Sequence, residues 1–164
     1  MKPTAAARVM ADECLCFRAR RASRAITGIY DDALRPLGLQ ATQLTLLNAV
    51  ALHGERGGAM RDVAEFLALD ATTLSRNVRP LESAGLVRVE RKPADGRVRM
   101  AVVTPAGERM IEQALPLWRR AHRRILSALG PDAAADLLQQ FDAAATAASE
   151  VKQPLHLKIA LANL

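Results

Sequence analysis

Residues 70–104, DATTLSRNVRPLESAGLVRVERKPADGRVRMAVVT, decide how this chain folds. Asp70 is a capping residue type and Gly85 a stop, so the segment between them reads as a helix over 71–84. Leu74, Val78 and Leu81 are spaced four and three and mark its buried side. Thr72, Arg76 and Arg79 then fall on the opposite side, with Thr73 and Ser75 flanking them. Pro80 lacks a backbone donor and predicts a kink in the second half of that helix. Leu86, Val87 and Val89 begin a strand, Pro93-Ala94-Asp95-Gly96 makes a turn, and Val98 to Val103 returns as a second strand.

Charge gathers on this helix and hairpin. Between 71 and 99 stand seven basic and three acidic residues, while the whole chain of 164 residues carries a net +6. Most of the basic excess therefore lies in one short stretch, which suits a polyanion. An arginine can grip guanine through two hydrogen bonds, and Thr or Ser can bond phosphate or a base edge. Thr72, Thr73, Ser75, Arg76 and Arg79 on the helix, with Arg91, Asp95 and Arg97 on the hairpin, are the candidate contacts to a double-stranded DNA operator. Asp95 is expected to hold the Arg97 guanidinium by a bidentate pair. The alternative is a module in which the same hairpin binds an acidic protein.

Outward from this stretch the chain reads as helix. Leu15, Ala19, Ala22, Ile26, Ile29, Ala33 and Leu37 form a stripe that predicts one helix over 8–35, ended by Pro36 and Gly38. Helices follow at 41–53 and 61–67. Thr104-Pro105 starts a long helix to about 129, bent at Pro116, and a last helix covers about 132–150. The tail, 151–164, is apolar enough to pack on something. The fold class expected is mainly α with a small β-hairpin wing: a winged helix-turn-helix over 41–104. One domain is expected over 1–164, with 8–35 and 105–164 left over as dimerisation helices. A homodimer matches a two-fold operator.

Three further patterns narrow the function. No stretch approaches a membrane span and the N-terminus lacks a signal-peptide hydrophobic region, so the chain reads as cytoplasmic with no membrane partner. His53, His122 and His156 are scattered without metal-ligand spacing, and neither a glycine-rich phosphate loop nor a nucleophile elbow occurs. No metal, no cofactor and no enzymatic activity are expected. Arg18, Arg20, Arg21 and Arg24, and again Arg119, Arg120, Arg123 and Arg124, are either solvated helix faces or the lining of an anion pocket.

The motifs L-D-A-T-T-L-S-R-N at 69–77, L-E-S-A-G-L-V at 81–87, P-A-D-G-R at 93–97 and V-V-T-P-A-G at 102–107 resemble those of the MarR family. The likeness extends over about residues 10–148. It implies an obligate dimer with helix 71–84 in the major groove and Arg97 in the minor groove. It also implies a transcriptional regulator, most often a repressor, released by a small aromatic or anionic ligand or by oxidation. Gly96, where the family usually has arginine, and Pro80 depart from its pattern.

Residues 15–30, L-C-F-R-A-R-R-A-S-R-A-I-T-G-I-Y, resemble the first helix of organic-hydroperoxide-sensing members. That resemblance matches the sensing thiol to Cys16 and a thiol-bonding tyrosine to Tyr30. Arg20 and Ala41 stand where those sensors have further tyrosines. On one helix Cys16 and Tyr30 lie about 21 Å apart, so only a partner subunit's Tyr30 can reach Cys16. Cys14 and Cys16 would point about 200° apart on a continuous helix. The plain alternative is that Cys16 is a small packing residue.

Overall fold

A computed structural model describes residues 4–92 and 95–152. Its elements run α1 (Ala5–Glu13), α2 (Leu15–Leu34), α3 (Ala41–Ala51), β1 (Gly58–Ala59), α4 (Met60–Phe66), α5 (Ala71–Ser83), β2 (Val87–Lys92), β3 (Asp95–Val103), α6 (Pro105–Leu129) and α7 (Pro131–Lys152). A 3-10 turn at Arg35–Leu37 separates α2 from α3. The fold is mainly α with a three-stranded antiparallel sheet, in the order β1-β3-β2.

The described residues form two compact units, divided between His122 and Arg123. In the first, Leu44, Leu46, Leu47, Ala49 and Val50 of α3 sit at the centre of the core. Val63 and Ala64 of α4, Leu74, Val78 and Leu81 of α5, and Val87 and Ala101 of the sheet close around them. The α5 stripe is buried as its spacing requires. In the second unit Ala134 is buried, whereas Leu129, Leu138, Phe141 and Val151 are exposed.

The N-terminal helix differs from expectation. It is broken at Cys14, whose extended backbone (φ −76°, ψ 110°) ends α1 and caps α2. The Cys14 Sγ accepts from the Phe17 N–H at 3.4 Å, and the Arg18 guanidinium donates to the Asp12 carbonyl, which ties the two helices across the break. Cys14 is thus a cap, and the 200° relation to Cys16 on one helix does not hold. Along the stripe, Ala22, Ile26, Ala33 and Leu37 are half-buried in the single chain. Leu15, Ala19 and Ile29 are exposed, and the one buried residue of α2 is Leu34, outside the stripe.

Two other expectations change. A third strand joins the expected hairpin, since Gly58–Ala59 pairs with Ala101 and Met100. A Cβ on Gly57 would lie 2.2 Å from the Ala101 carbonyl oxygen, and Gly57 has φ +69°. Only glycine admits both the backbone angle and the approach. Asp95 and Gly96 belong to β3 and not to a four-residue turn; Pro93 and Ala94 lie outside the described residues, as does the tail from 153 onward. The helix over Ala71–Ser83 runs on through Pro80. The Arg76 carbonyl that loses its donor lies on the exposed side, where water can satisfy it.

Candidate nucleic-acid interface

The interface is built on α5. Asp70 caps it: Oδ1 accepts from the Thr73 N–H at 2.8 Å, and Oδ2 accepts from the Thr73 hydroxyl at 2.6 Å. The Thr73 bonds hold the Asp70 carboxyl below its usual range. Negative charge there also complements the positive end of the helix. Thr73 is accordingly engaged in the cap, and its hydroxyl proton is committed to Asp70. Thr72, Arg76 and Arg79 are exposed on the outer face, and Ser75 is half-buried at its edge.

The C-terminal end of α5 is clasped by the start of α6. Thr104 Oγ1 donates to the Gly85 carbonyl at 2.6 Å and accepts from the Gly107 N–H at 3.1 Å. The Thr104 N–H donates to the Leu86 carbonyl at 3.0 Å. A Cβ on Gly107 would come within 2.2 Å of that same carbonyl oxygen. The two motifs 81–87 and 102–107 are therefore halves of one contact, which fixes the recognition helix against the wing and α6.

In the wing, Arg97 and Arg91 are exposed. The Asp95 carboxylate accepts from the backbone N–H of Arg97 at 3.0 Å instead of pairing with its guanidinium. A two-residue Asx bond of this kind is the cheaper arrangement at a hairpin tip, because it orders no long side chain. Arg88 is diverted, since its Nε donates to Glu90 Oε2 at 2.9 Å. The strand register pairs Arg91 with Arg99 and then Lys92 with Asp95, so the pairing is irregular after Arg91 and Arg97 sits on the looped-out side. Such a bulge re-aims a side chain. Between α4, α5 and the wing runs a cleft of about 740 Å³ whose lining includes Arg61, Glu65, Ser75, Lys92, Arg97 and Arg99.

Arg99, one of the seven basic residues between 71 and 99 but not among the expected contacts, also lines this cleft. Register was the missing information, and composition does not carry it.

Cys16 and Tyr30 are not brought together within the chain. Cys16 is exposed in the first turn of α2. Tyr30 is half-buried, its hydroxyl 2.9 Å from His122 Nδ1. Trp118 stacks on both rings, with centroids 6.3 Å from Tyr30 and 4.6 Å from His122. Burial raises the Tyr30 pKa, which keeps the phenol protonated and able to donate. Among the described residues no group of three or more His, Cys, Asp or Glu could hold a metal ion, and no described helix is long and apolar enough to cross a membrane.

A capped recognition helix beside an arginine-bearing hairpin defines the winged helix-turn-helix class of DNA-binding proteins. The pattern of the MarR family matches residues 37–98. The chain is similar to the M. tuberculosis transcriptional regulator MosR in complex with DNA, at 33% identity over 82% of this chain and 98% of that one, with a TM-score of 0.70. It is also similar to CouR from Rhodococcus jostii RHA1 bound to p-coumaroyl-CoA, at 25% identity over 82% and 93%, with a TM-score of 0.68. A mutant MarR from E. coli complexed with operator DNA shares the fold, at 20% identity over 83% and 96%, with a TM-score of 0.74. No curated protein matches the sequence. This chain belongs to the MarR family, as a winged-helix, DNA-binding regulator of transcription.

Proposed function

We propose that the protein is a homodimeric, sequence-specific repressor, acting as a regulator and not as an enzyme, that releases its operator when a small effector binds. The observation that carries the DNA part is the exposed outer face of α5, Thr72, Arg76 and Arg79, set beside a wing whose tip presents Arg97. In this reading α5 enters the major groove, Arg76 reads a base edge and Arg97 meets the backbone or the minor groove. Thr72 and Ser75 supply hydroxyls to phosphate or bases, Arg79 and Arg91 add charge, and Thr73 and Asp95 hold the helix start and the wing tip in shape. Exposed apolar side chains at both ends supply the dimer contacts: Met10, Leu15 and Phe17 in α1 and α2, Leu138 and Phe141 in α7.

The effector favoured is a small aromatic or anionic compound. The half-buried Tyr30, Trp118 and His122 layer offers an aromatic surface with polar tips, and the relative CouR binds an aromatic acyl thioester. Oxidation of Cys16 by a peroxide is the second reading, favoured by the exposure of that thiol.

The test is selection of bound sequences from a random duplex pool, followed by Arg76→Ala and Arg97→Ala on the selected operator. Arg76→Ala should cost about 1–3 kcal/mol and relax sequence choice. Arg97→Ala should weaken all sequences more evenly. If both variants bind as tightly as the parent at matched salt, this interface is wrong. Repeating the binding with aromatic acids and with an organic hydroperoxide, in the parent and in Cys16→Ser, separates the two effector readings.

A further inference from the structure

Like charges set directly opposite each other across two strands destabilise the pair. In the wing, Arg91 of β2 is the direct partner of Arg99 of β3, and both side chains are exposed. The nearby carboxylates are already engaged. Glu90 accepts from Arg88 Nε at 2.9 Å, and Asp95 accepts from the Arg97 backbone N–H at 3.0 Å. Among the described residues neither Arg91 nor Arg99 takes part in an ion pair. A concavity of about 870 Å³ opens beside them, lined by Val89, Glu90, Arg91, Asp95, Arg97 and Arg99.

The strand face explains why this pair stands out. Val87 with Val103, and Val89 with Ala101, are the preceding pairs on the same face, and they pack on the core. Where the core ends, the next pair is two arginines. An apolar or oppositely charged pair there would stabilise the hairpin better.

We infer that Arg91 and Arg99 together clamp a single DNA phosphate on the stem of the wing, separately from Arg97 at its bulged tip. Cross-strand partners have Cβ atoms about 4.5–5.5 Å apart, so two guanidinium groups rooted there can converge on one anion. Each offers a planar fork of donors to phosphate oxygens. The shared negative charge relieves the repulsion that the free hairpin carries. Arg99 thereby joins the DNA-binding residues, and the wing is less stable alone than on DNA. The inference rests on the DNA-binding reading of this interface.

The experiment measures binding of a mixed-sequence duplex between about 50 and 200 mM salt, for the parent, Arg91→Gln, Arg99→Gln and the double variant. A phosphate contact is sequence-independent, so the operator is not needed. The double variant should lower the slope of log K against log salt by about 0.9, the value for one phosphate, with neither single variant exceeding it. Thermal unfolding of the free double variant should match or exceed the parent's. A slope lowered by about 1.8 means two separate phosphates and overturns the clamp. An unchanged slope with the parent binding normally overturns the clamp and leaves the DNA-binding reading standing. A free double variant that melts lower than the parent shows the arginines supporting the fold, which also overturns it. A parent without duplex affinity overturns the DNA-binding reading and the clamp with it.

Discussion

Helices α2 and α3 are neighbours in sequence and opposites in packing. In the 11 residues of α3, five side chains are buried, and Leu47 and Val50 have no exposed surface. In the 20 residues of α2 one is buried, Leu34, at its C-terminal end. Yet α2 is not a polar helix: it carries Leu15, Phe17, Ile26 and Ile29. The difference teaches that the core of this chain closes around α3, while Leu15, Phe17 and Ile29 of α2 stay exposed, the side chains that the proposed dimer would cover. Alternation of apolar residues reports that a helix will be covered without saying by what.

The strongest way to break that comparison is to cut into α3. Leu47→Ala should cost about 2–5 kcal/mol in urea or thermal unfolding, because the fully enclosed site can collapse only in part. A loss under about 1 kcal/mol would mean that the core is looser than its burial implies. Gly107→Ala comes next. The added methyl has no room beside the Leu86 carbonyl, so a loss of about 1–3 kcal/mol is expected. Operator binding should suffer as well, since the clasp positions α5; normal affinity in a destabilised Gly107→Ala would detach the clasp from DNA reading.

Leu15→Ala sharpens the other half of the comparison. Leu15 is 82% exposed in the chain, so the variant should leave the core intact. It should weaken dimerisation by about 2 kcal/mol if Leu15 is covered there. Equilibrium sedimentation over a dilution series reads this directly, and an unchanged dimer would place the interface elsewhere. The smallest effect belongs to Tyr30, which stands between the two regimes. Tyr30→Phe should cost about 1 kcal/mol through the lost bond to His122. Its raised pKa also has a sign. The contribution of the neutral phenol is fully present below the unfolded pKa of about 10 and is lost as pH rises through the raised folded value. The parent should therefore lose stability at alkaline pH in a step that Tyr30→Phe lacks, and identical alkaline profiles would show that the burial does not matter.

Much of the site was legible in the chain. The α5 stripe, its Asp70 cap, its Gly85 stop and the Thr104-Pro105 start of α6 all appear where the residues direct, because each is a local rule of spacing or capping. Asp95 was legible as a tip residue and misread in its partner, because a carboxylate reaches a backbone N–H two residues on before it orders an arginine side chain. Cys14 was misread as helical, since nothing in the apolar spacing forbids a continuous helix there. The break is held by an Arg18 contact to Asp12, six residues back. The short strand Gly58–Ala59 was not legible at all, being defined only by its partners in β3.

The sequence by itself determined the winged helix: its order of elements, the buried and exposed sides of α5, and the concentration of arginine in the hairpin. These follow from side-chain periodicity and from caps that act within a few residues. Tertiary structure alone decided what faces what. It set Thr104 against Gly85, Gly107 against Leu86, Tyr30 against His122, and Arg91 against Arg99. Those pairings join residues 8 to 92 positions apart, and only packing and strand register, which no local rule encodes, can select them.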